Sequence, residues 1–370
     1  MSLQISLSAP DITEEDIKAV VEVVKSGRLA LGPKIEEFEK LMADYIGVKY
    51  AVAVSSGTAA LHLIVKALGI GEGDEVLVPS FTFVASVNVI LYERAIPVFV
   101  DINPETYTLD PEDLKKKITP RTKAIMVVDV FGHPAEWDEI LEIAQKYNLT
   151  VIDDSCEALG AEYKGKKIGT FGDASAFAFY PNKQITTGEG GIIVTNDSKI
   201  AQLCRAMRNQ GRGEMGAWLE HEYLGYNYRM DEMSAALGAS QLKRIDTILK
   251  KREKVAQKYT ELLKDVDLVS PPTVKPYVKM SWFVYVVKLA EGLDRAKIIK
   301  KMAEKGIPTR GYFSPIHLQP YIRRILNTKE NTLPVTESIA RRTLALPFHA
   351  NLSEKAIEMV VERLSECIRY

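Results

Sequence analysis

From residue 51 to residue 196 the chain alternates two textures. Short apolar runs, AVAVSS (51–56), EVLVPS (75–80), IPVFVDI (96–102), KAIMVVDV (123–130) and TVIDDS (150–155), are separated by stretches with helical spacing, GTAALHLIVKAL, TFVASVNVILYE, PEDLKKKI and AEWDEILEIAQKYN. Runs without polar alternation suit strands buried on both faces of a sheet. Their alternation with helices predicts right-handed crossovers and a largely parallel sheet, an α/β arrangement. SAFAF (175–179) and GIIVTN (191–196) read as further strands, and the pattern leaves open whether some run antiparallel. Ahead of this core, Thr13-Glu14-Glu15-Asp16 resembles a capping box that starts a helix ended by Gly27, and Pro33 to Gly47 reads as a second helix.

Past residue 230 the texture changes. Residues 231–264 read as one long or kinked helix, followed by the breaker SPPTVKP (270–276). SWFVYVVKL predicts a strand, DRAKIIKKMAEKGI a helix and SEKAIEMVVERLSECIR a terminal helix. This tail is expected to form a smaller α+β domain, residues 246–370, after a large domain of residues 1–245.

Composition excludes several classes. In 370 residues, 48 basic and 49 acidic side chains leave a net charge of -1, so neither a nucleic-acid footprint nor a membrane-surface patch is expected. No apolar run is long enough to span a bilayer, and the expectation is a soluble, cytoplasmic protein. The three cysteines, Cys156, Cys204 and Cys367, are dispersed and give neither a disulfide framework nor a metal-ligand spacing. HExxH, paired CxxC, GxSxG and GxGxxG are all absent, so no metal and no dinucleotide is expected.

The candidate chemistry starts with FAFYPNKQITTGEGG (177–191), which sets Lys183 between an aromatic strand-like run and a glycine-rich turn. A lysine amine held away from bulk water can lose its proton and attack a carbonyl. A pyridoxal phosphate enzyme requires that property, although an ordinary solvated lysine fits the same peptide. SSGTAALHL (55–63) puts Gly57 and Thr58 at a strand-to-helix junction, which serves as a phosphate cradle or as a plain capped helix; His62 reads as packed. In PSFTFVAS (79–86) one phenylalanine is core and the other, Phe83, can lie on a flat cofactor. VIDDSCEALGA (151–161) ends a strand on Asp153 and Asp154, one suited to a protonated pyridine nitrogen and the other to a helix N-cap. LGYNYRMDE offers Asn227 and Arg229, and TRGYFSPIHLQPY offers Arg310, Tyr312 and His317. These polar-aromatic clusters suit a site between domains, or a surface loop and a rigid turn.

The order SGTAALHL, PSFTFVAS, IDDSCEALGA, PNKQITTGEGG, GYNYR resembles the DegT/DnrJ/EryC1/StrS family of sugar aminotransferases, over nearly the whole chain and with a leaning to its perosamine synthase-like members. The resemblance implies the fold-type I architecture of pyridoxal phosphate enzymes, with pyridoxal 5'-phosphate as cofactor. It also implies amination of a 4-keto or 3-keto group on a nucleotide-linked sugar, with L-glutamate as donor. Lys183 matches the Schiff-base lysine, Asp154 the partner of the pyridine nitrogen and Phe83 the stacking ring. Gly57, Thr58 and the Ala59 amide match the phosphate cradle. Asn227 matches a residue that reaches the phosphate of the neighbouring subunit's cofactor, which implies a homodimer with shared active sites. Arg229, Tyr312 and His317 fall in substrate-proximal segments. Two positions depart from the commonest pattern. Glu157 stands where many relatives carry Gln or His near the cofactor's phenolic oxygen. Ala178 stands where many carry a phosphate-binding Ser, leaving Ser175 or backbone donors to replace it. Dehydratases of the family have His in place of the lysine, so Lys183 argues against that alternative and, with Asp154, against a purely regulatory role.

Overall fold

The apolar runs become one seven-stranded sheet in a computed structural model that describes residues 5–213 and 220–369. The strands in chain order are β1 (Tyr50–Val54), β2 (Glu75–Pro79), β3 (Ile96–Val100), β4 (Thr122–Val128), β5 (Thr150–Asp154), the short β6 (Glu162–Tyr163) and β7 (Lys166–Lys167), β8 (Ala174–Ala178) and β9 (Gly191–Thr195). Seven of them make the sheet, in the order β1-β9-β8-β5-β4-β2-β3. β3, β2, β4, β5 and β8 pair in parallel, whereas β9 runs antiparallel to both β8 and β1. The connection explains the reversal. β8 leads to β9 through the Lys183 turn with no helix between them, and a parallel return needs a crossover, usually a helix.

Alternate residues of each strand enter opposite cores. Val52, Val54, Val76 and Val78 pack under α3 (Gly57–Ala67), α4 (Ala85–Tyr92) and α7 (Ser198–Arg208). On the other face, Ala51, Ala53, Ile192 and Val194 meet α2 (Pro33–Ile46) and α8 (Glu232–Leu242), while Leu77, Ile125 and Val127 meet α5 (Pro111–Lys117) and α6 (Trp137–Tyr147). This two-sided cover is why the strands carry no polar alternation. Helix α1 (Glu14–Ser26) has the expected box between Thr13 and Asp16, and Gly27 ends it at φ 70°. Pro33 opens α2, and Gly47 closes it at φ 90°.

The helix expected over 231–264 is two helices, α8 and α9 (Ile245–Leu263), with Arg244 at φ -120°, ψ 18° between them. Its guanidinium is tied to Asp11 and Asp16, which fixes the break. Ile245 and Ile248 of α9 belong to the core below the sheet. Val255, Ala256, Tyr259 and Leu263 belong to a different core, with a three-stranded antiparallel sheet of order β10-β12-β13 and the terminal helix Glu354–Arg369. Here β10 is Val269–Ser270, β12 is Tyr285–Leu289 and β13 is Thr343–Leu346, while β11 (Val278–Lys279) pairs with β6. The strand expected from Ser281 starts only at Tyr285, because Trp282 takes φ 52°, outside the extended region.

Candidate active site

Beyond the carboxyl ends of β1, β2, β4, β5 and β8 lies one cavity of about 390 Å³, at the edge where open α/β sheets bind ligands. At one end the chain passes from β1 into α3. Ser56 caps that helix, its Oγ accepting from the Ala59 amide at 3.1 Å. The amides of Gly57 and Thr58 have no acceptor among the described residues and stand at the positive end of the helix dipole. A Cβ at Gly57 would lie 2.7 Å from the Ala178 Cβ and 3.0 Å from Cys156 Sγ. One at Gly191 would lie 2.3 Å from the Ser56 carbonyl oxygen, so the glycine-rich turn is what lets the chain after Lys183 pass against the start of α3.

Gly57 and Thr58 line the cavity, but two expected members of the cradle do not. Ala59 is buried with its amide already taken by Ser56. Ser175 cannot replace the hydroxyl missing at Ala178, because it is fully buried and donates to Asp153 at 2.9 Å.

The two acids ending β5 separate by the strand's alternation. Asp154 faces the cavity; its Oδ2 accepts from Ser86 Oγ at 2.6 Å and its Oδ1 from the Cys156 amide at 3.2 Å. Asp153 turns away and accepts from Ser155, Ser175 and the Gly169 amide. It is not the helix N-cap expected of it, since a turn rather than a helix follows β5. Burial pushes its carboxyl up to about 6, and burial together with the charge of Asp153 pushes the neighbouring Asp129 up further.

Lys183 enters from the turn after β8, its amide donating to the Tyr180 carbonyl at 2.9 Å. Nζ stands 3.5 Å from Glu157 Oε1 and 3.9 Å from the centre of the Phe283 ring. A carboxylate and an aromatic face both attract an ammonium, and both are also within reach when the amine is neutral. Glu157 Oε2 accepts from the Phe131 amide at 2.8 Å. Burial pushes this carboxyl above its usual range, against the opposing pull of Lys183. The Gln184 amide donates to the Glu157 carbonyl and to Ser281 Oγ, at 2.6 and 2.9 Å, which joins the lysine turn to the segment before Phe283.

Phe81 is fully buried, while Phe83 stands 59% exposed on the cavity wall. Tyr312 lines the cavity, its hydroxyl pushed up first by burial and then by Glu157. His317 does not. It is buried, with Nδ1 2.6 Å from Ser80 Oγ and Nε2 3.3 Å from Glu337, so it ties the end of β2 to the helix Pro334–Arg342 instead of reaching a substrate. Arg310 pairs its backbone with Ala345. Asn227 is exposed, and Arg229 donates to Asn209 at 3.0 Å; neither is on the cavity wall. His62 is packed between Tyr228 and Glu93. Sequence reasoning missed Phe283 and Phe313, which close the cavity from beyond residue 280. Phe283 sits in a run that reads as an ordinary core strand, and Phe313 in the TRGYFSPIHLQPY cluster, where the polar neighbours drew the reading.

The donor set fits pyridoxal phosphate. Two free amides over a glycine floor suit a phosphate, an exposed aromatic face and a buried carboxylate suit a flat pyridine ring, and a lysine amine suits its aldehyde. A match to the DegT/DnrJ/EryC1/StrS aminotransferase family spans residues 10–365. The chain is similar to the GDP-perosamine synthase of Caulobacter vibrioides, 42% identical over 370 residues that cover 99% of this chain and 98% of that protein. Among solved structures it is similar to Helicobacter pylori PseC, an aminotransferase involved in the biosynthesis of pseudoaminic acid, with TM-score 0.94 at 31% identity over 99% of this chain and 100% of that one. The PLP form of the putative sugar aminotransferase Spr1654 from Streptococcus pneumoniae gives TM-score 0.93 at 28% identity, over 99% of both chains. The chain belongs to the DegT/DnrJ/EryC1/StrS aminotransferase family and is a pyridoxal-phosphate-dependent sugar aminotransferase of fold type I.

Proposed function

We propose that Lys183 is the reacting amine of an enzyme that moves the amino group of L-glutamate to the 4-keto or 3-keto carbon of a nucleotide-linked sugar. The observation that carries this reading is the convergence of Lys183, Glu157, Asp154, Phe83 and the free amides of Gly57 and Thr58 on one cavity. Bound pyridoxal phosphate supplies an aldehyde that condenses with amines and a ring that withdraws electrons from the adjoining carbon. When it is bound, the Gly57 and Thr58 amides would hold its phosphate, Phe83 would lie on its ring, Asp154 would face its pyridine nitrogen and Glu157 would share a proton with its phenolic oxygen. Lys183 would bond its aldehyde and, when freed, would serve as the base and acid that carries the substrate proton. Tyr312 stands on the substrate side. Asn227 reaches the cofactor phosphate of a neighbouring subunit in a homodimer, consistent with its exposure, and Arg229 belongs to a substrate-proximal segment. The names of the relatives make a GDP-linked keto-sugar the first to test. We also place the protein in the cytoplasm, and its domain division at residue 245.

The test is a visible absorption scan of the protein with pyridoxal phosphate, before and after L-glutamate, with 2-oxoglutarate measured in parallel. A cofactor band that collapses as 2-oxoglutarate appears is the expected result. A stable band with no 2-oxoglutarate overturns the choice of donor, and no cofactor band overturns the assignment of these residues.

A further inference from the structure

Arg252, on α9, carries a charge into the interior with no carboxylate to meet it. It is 2% exposed and forms no ion pair among the described residues; Asp11 acts on it through charge alone. Burial lowers its pKa to about 10, so it stays protonated at neutral pH. A buried, unpaired guanidinium is costly unless its donors are met. Four main-chain carbonyls meet the two terminal nitrogens, while Nε finds no partner among the described residues. Nη2 donates to Lys183 O at 2.9 Å and Asn182 O at 3.4 Å, and Nη1 to Trp282 O at 3.2 Å and Phe283 O at 3.3 Å. The guanidinium also lies 5.5 Å from the centre of the Phe348 ring.

Those carbonyls belong to two chain segments, and the segments are the ones that flank the lysine amine. One carries Lys183 itself. The other carries Phe283, whose ring sits 3.9 Å from Nζ. The second segment has reason to need holding, since Trp282 is in the left-handed region at φ 52°, a conformation that persists where surroundings over-determine it. A planar fork with two donor ends can hold two segments at a fixed spacing, and an ammonium cannot.

We propose that Arg252 is a positioning residue for Lys183. It clamps the lysine turn to the Phe283 segment, and so holds Nζ over the ring, beside Glu157 and toward the cofactor's carbonyl. This rests on Lys183 being the amine that bonds the cofactor. The consequence is selective. Pyridoxal phosphate bonds the lysine, whereas pyridoxamine phosphate has the same ring and phosphate but no carbonyl. Loss of the clamp therefore weakens the first and spares the second.

The experiment compares wild type with Arg252→Met, which keeps the apolar stem, and Arg252→Lys, which keeps the charge without the fork. Affinities for pyridoxal phosphate and pyridoxamine phosphate are read by tryptophan fluorescence, and borohydride reduction with peptide mapping locates the covalent bond. The expected result is a loss of about tenfold or more for pyridoxal phosphate in both variants, equivalent to about 1.4 kcal/mol, with pyridoxamine phosphate changed far less. Equal losses for the two ligands would make Arg252 a purely structural residue and overturn the proposal, as would no loss, or failure of both variants to fold. A wild type that bonds pyridoxal phosphate at some other lysine, or not at all, instead overturns the reading of Lys183.

Discussion

Two lysine–glutamate pairs in this molecule look alike by residue type and burial, and the protein satisfies them to different degrees. Lys66 and Glu93 are 2.9 Å apart, with side chains 21% and 16% exposed; Lys183 and Glu157 are 3.5 Å apart, 12% and 9% exposed. Each pair borders a hollow, of about 350 and about 390 Å³ respectively. Neither composition nor space separates them. What separates them is how completely each group is satisfied. Glu93 gives one oxygen to Lys66 and the other to His62 and Tyr226, and Lys66 also lies over the Tyr226 ring. Burial raises the Glu93 carboxyl, but these partners outweigh it and hold it below its usual range. Glu157 has one protein donor and one loose lysine contact, and burial wins there. A pair whose valences are filled by protein is framework; a pair left part-filled beside a walled cavity has something to give a ligand.

The largest effect should come from the lysines. Lys183→Ala should reduce turnover by about a thousandfold or more, since on the proposed reading it removes both the cofactor's bond and the proton carrier. Lys66→Ala should leave turnover near the wild-type level. Steady-state rates with glutamate and a keto-sugar decide it. Appreciable turnover in the Lys183 variant breaks the comparison, because the open pair would then be no more functional than the closed one.

The legible part of this contrast was the local part. Lys183, Asp154, Phe83 and Gly57 each sit in a peptide whose strand, turn and glycine signals fall within a few residues, and each lines the cavity. What the sequence did not show depends on partners distant in the chain. His317 looked available because Ser80 and Glu337, its buried partners, lie 237 and 20 residues away. Phe283 and Arg252 gave no sign because a phenylalanine in an apolar run and an arginine in a long amphipathic helix are ordinary until the fold brings them to the lysine turn. Ala59 is a case of another kind. Ser56 competes locally for the same amide, and a helix start does not say which of its amides a side chain will take. The antiparallel β9 was left open by periodicity, which is blind to strand direction; the length and lack of helix in the Lys183 turn decide it.

Stability should divide the two glutamates next. Glu93→Gln leaves Lys66 and His62 facing an amide, and should cost about 1–3 kcal/mol, the usual penalty for unmatched buried polar groups. Glu157→Gln should stay within about 1 kcal/mol of wild type or gain stability, because it removes a carboxylate whose burial is poorly compensated, while the amide oxygen still accepts from Phe131. Urea unfolding without cofactor measures both. A Glu157 variant as unstable as the Glu93 variant would mean that the cavity pair is framework too.

The smallest effect, and the sharpest, is the pH dependence of those differences. Glu93 is held below its ordinary 4.5, so the folded state binds its proton less tightly than the unfolded chain does. Its contribution is fully present above 4.5 and is lost as pH falls through the lower folded value. The deficit of Glu93→Gln should therefore shrink as pH falls from 6 toward 4. Glu157 is pushed above its ordinary 4.5, so the folded state binds its proton more tightly. Wild type then loses stability as pH rises from 4.5 through the higher folded value, and Glu157→Gln does not. Melting temperatures of each variant minus wild type, taken at intervals from pH 4 to pH 7, should therefore slope in opposite directions, downward with rising pH for Glu93→Gln and upward for Glu157→Gln. Subtracting wild type at each pH removes the titration of groups that neither substitution touches, such as the buried Asp129 and Asp153; because Glu93 itself holds His62, both substitutions are compared in a His62→Gln background. Slopes of the same sign would show that both carboxylates are held by their neighbours in the same way, and the distinction between a closed pair and an open one would fall.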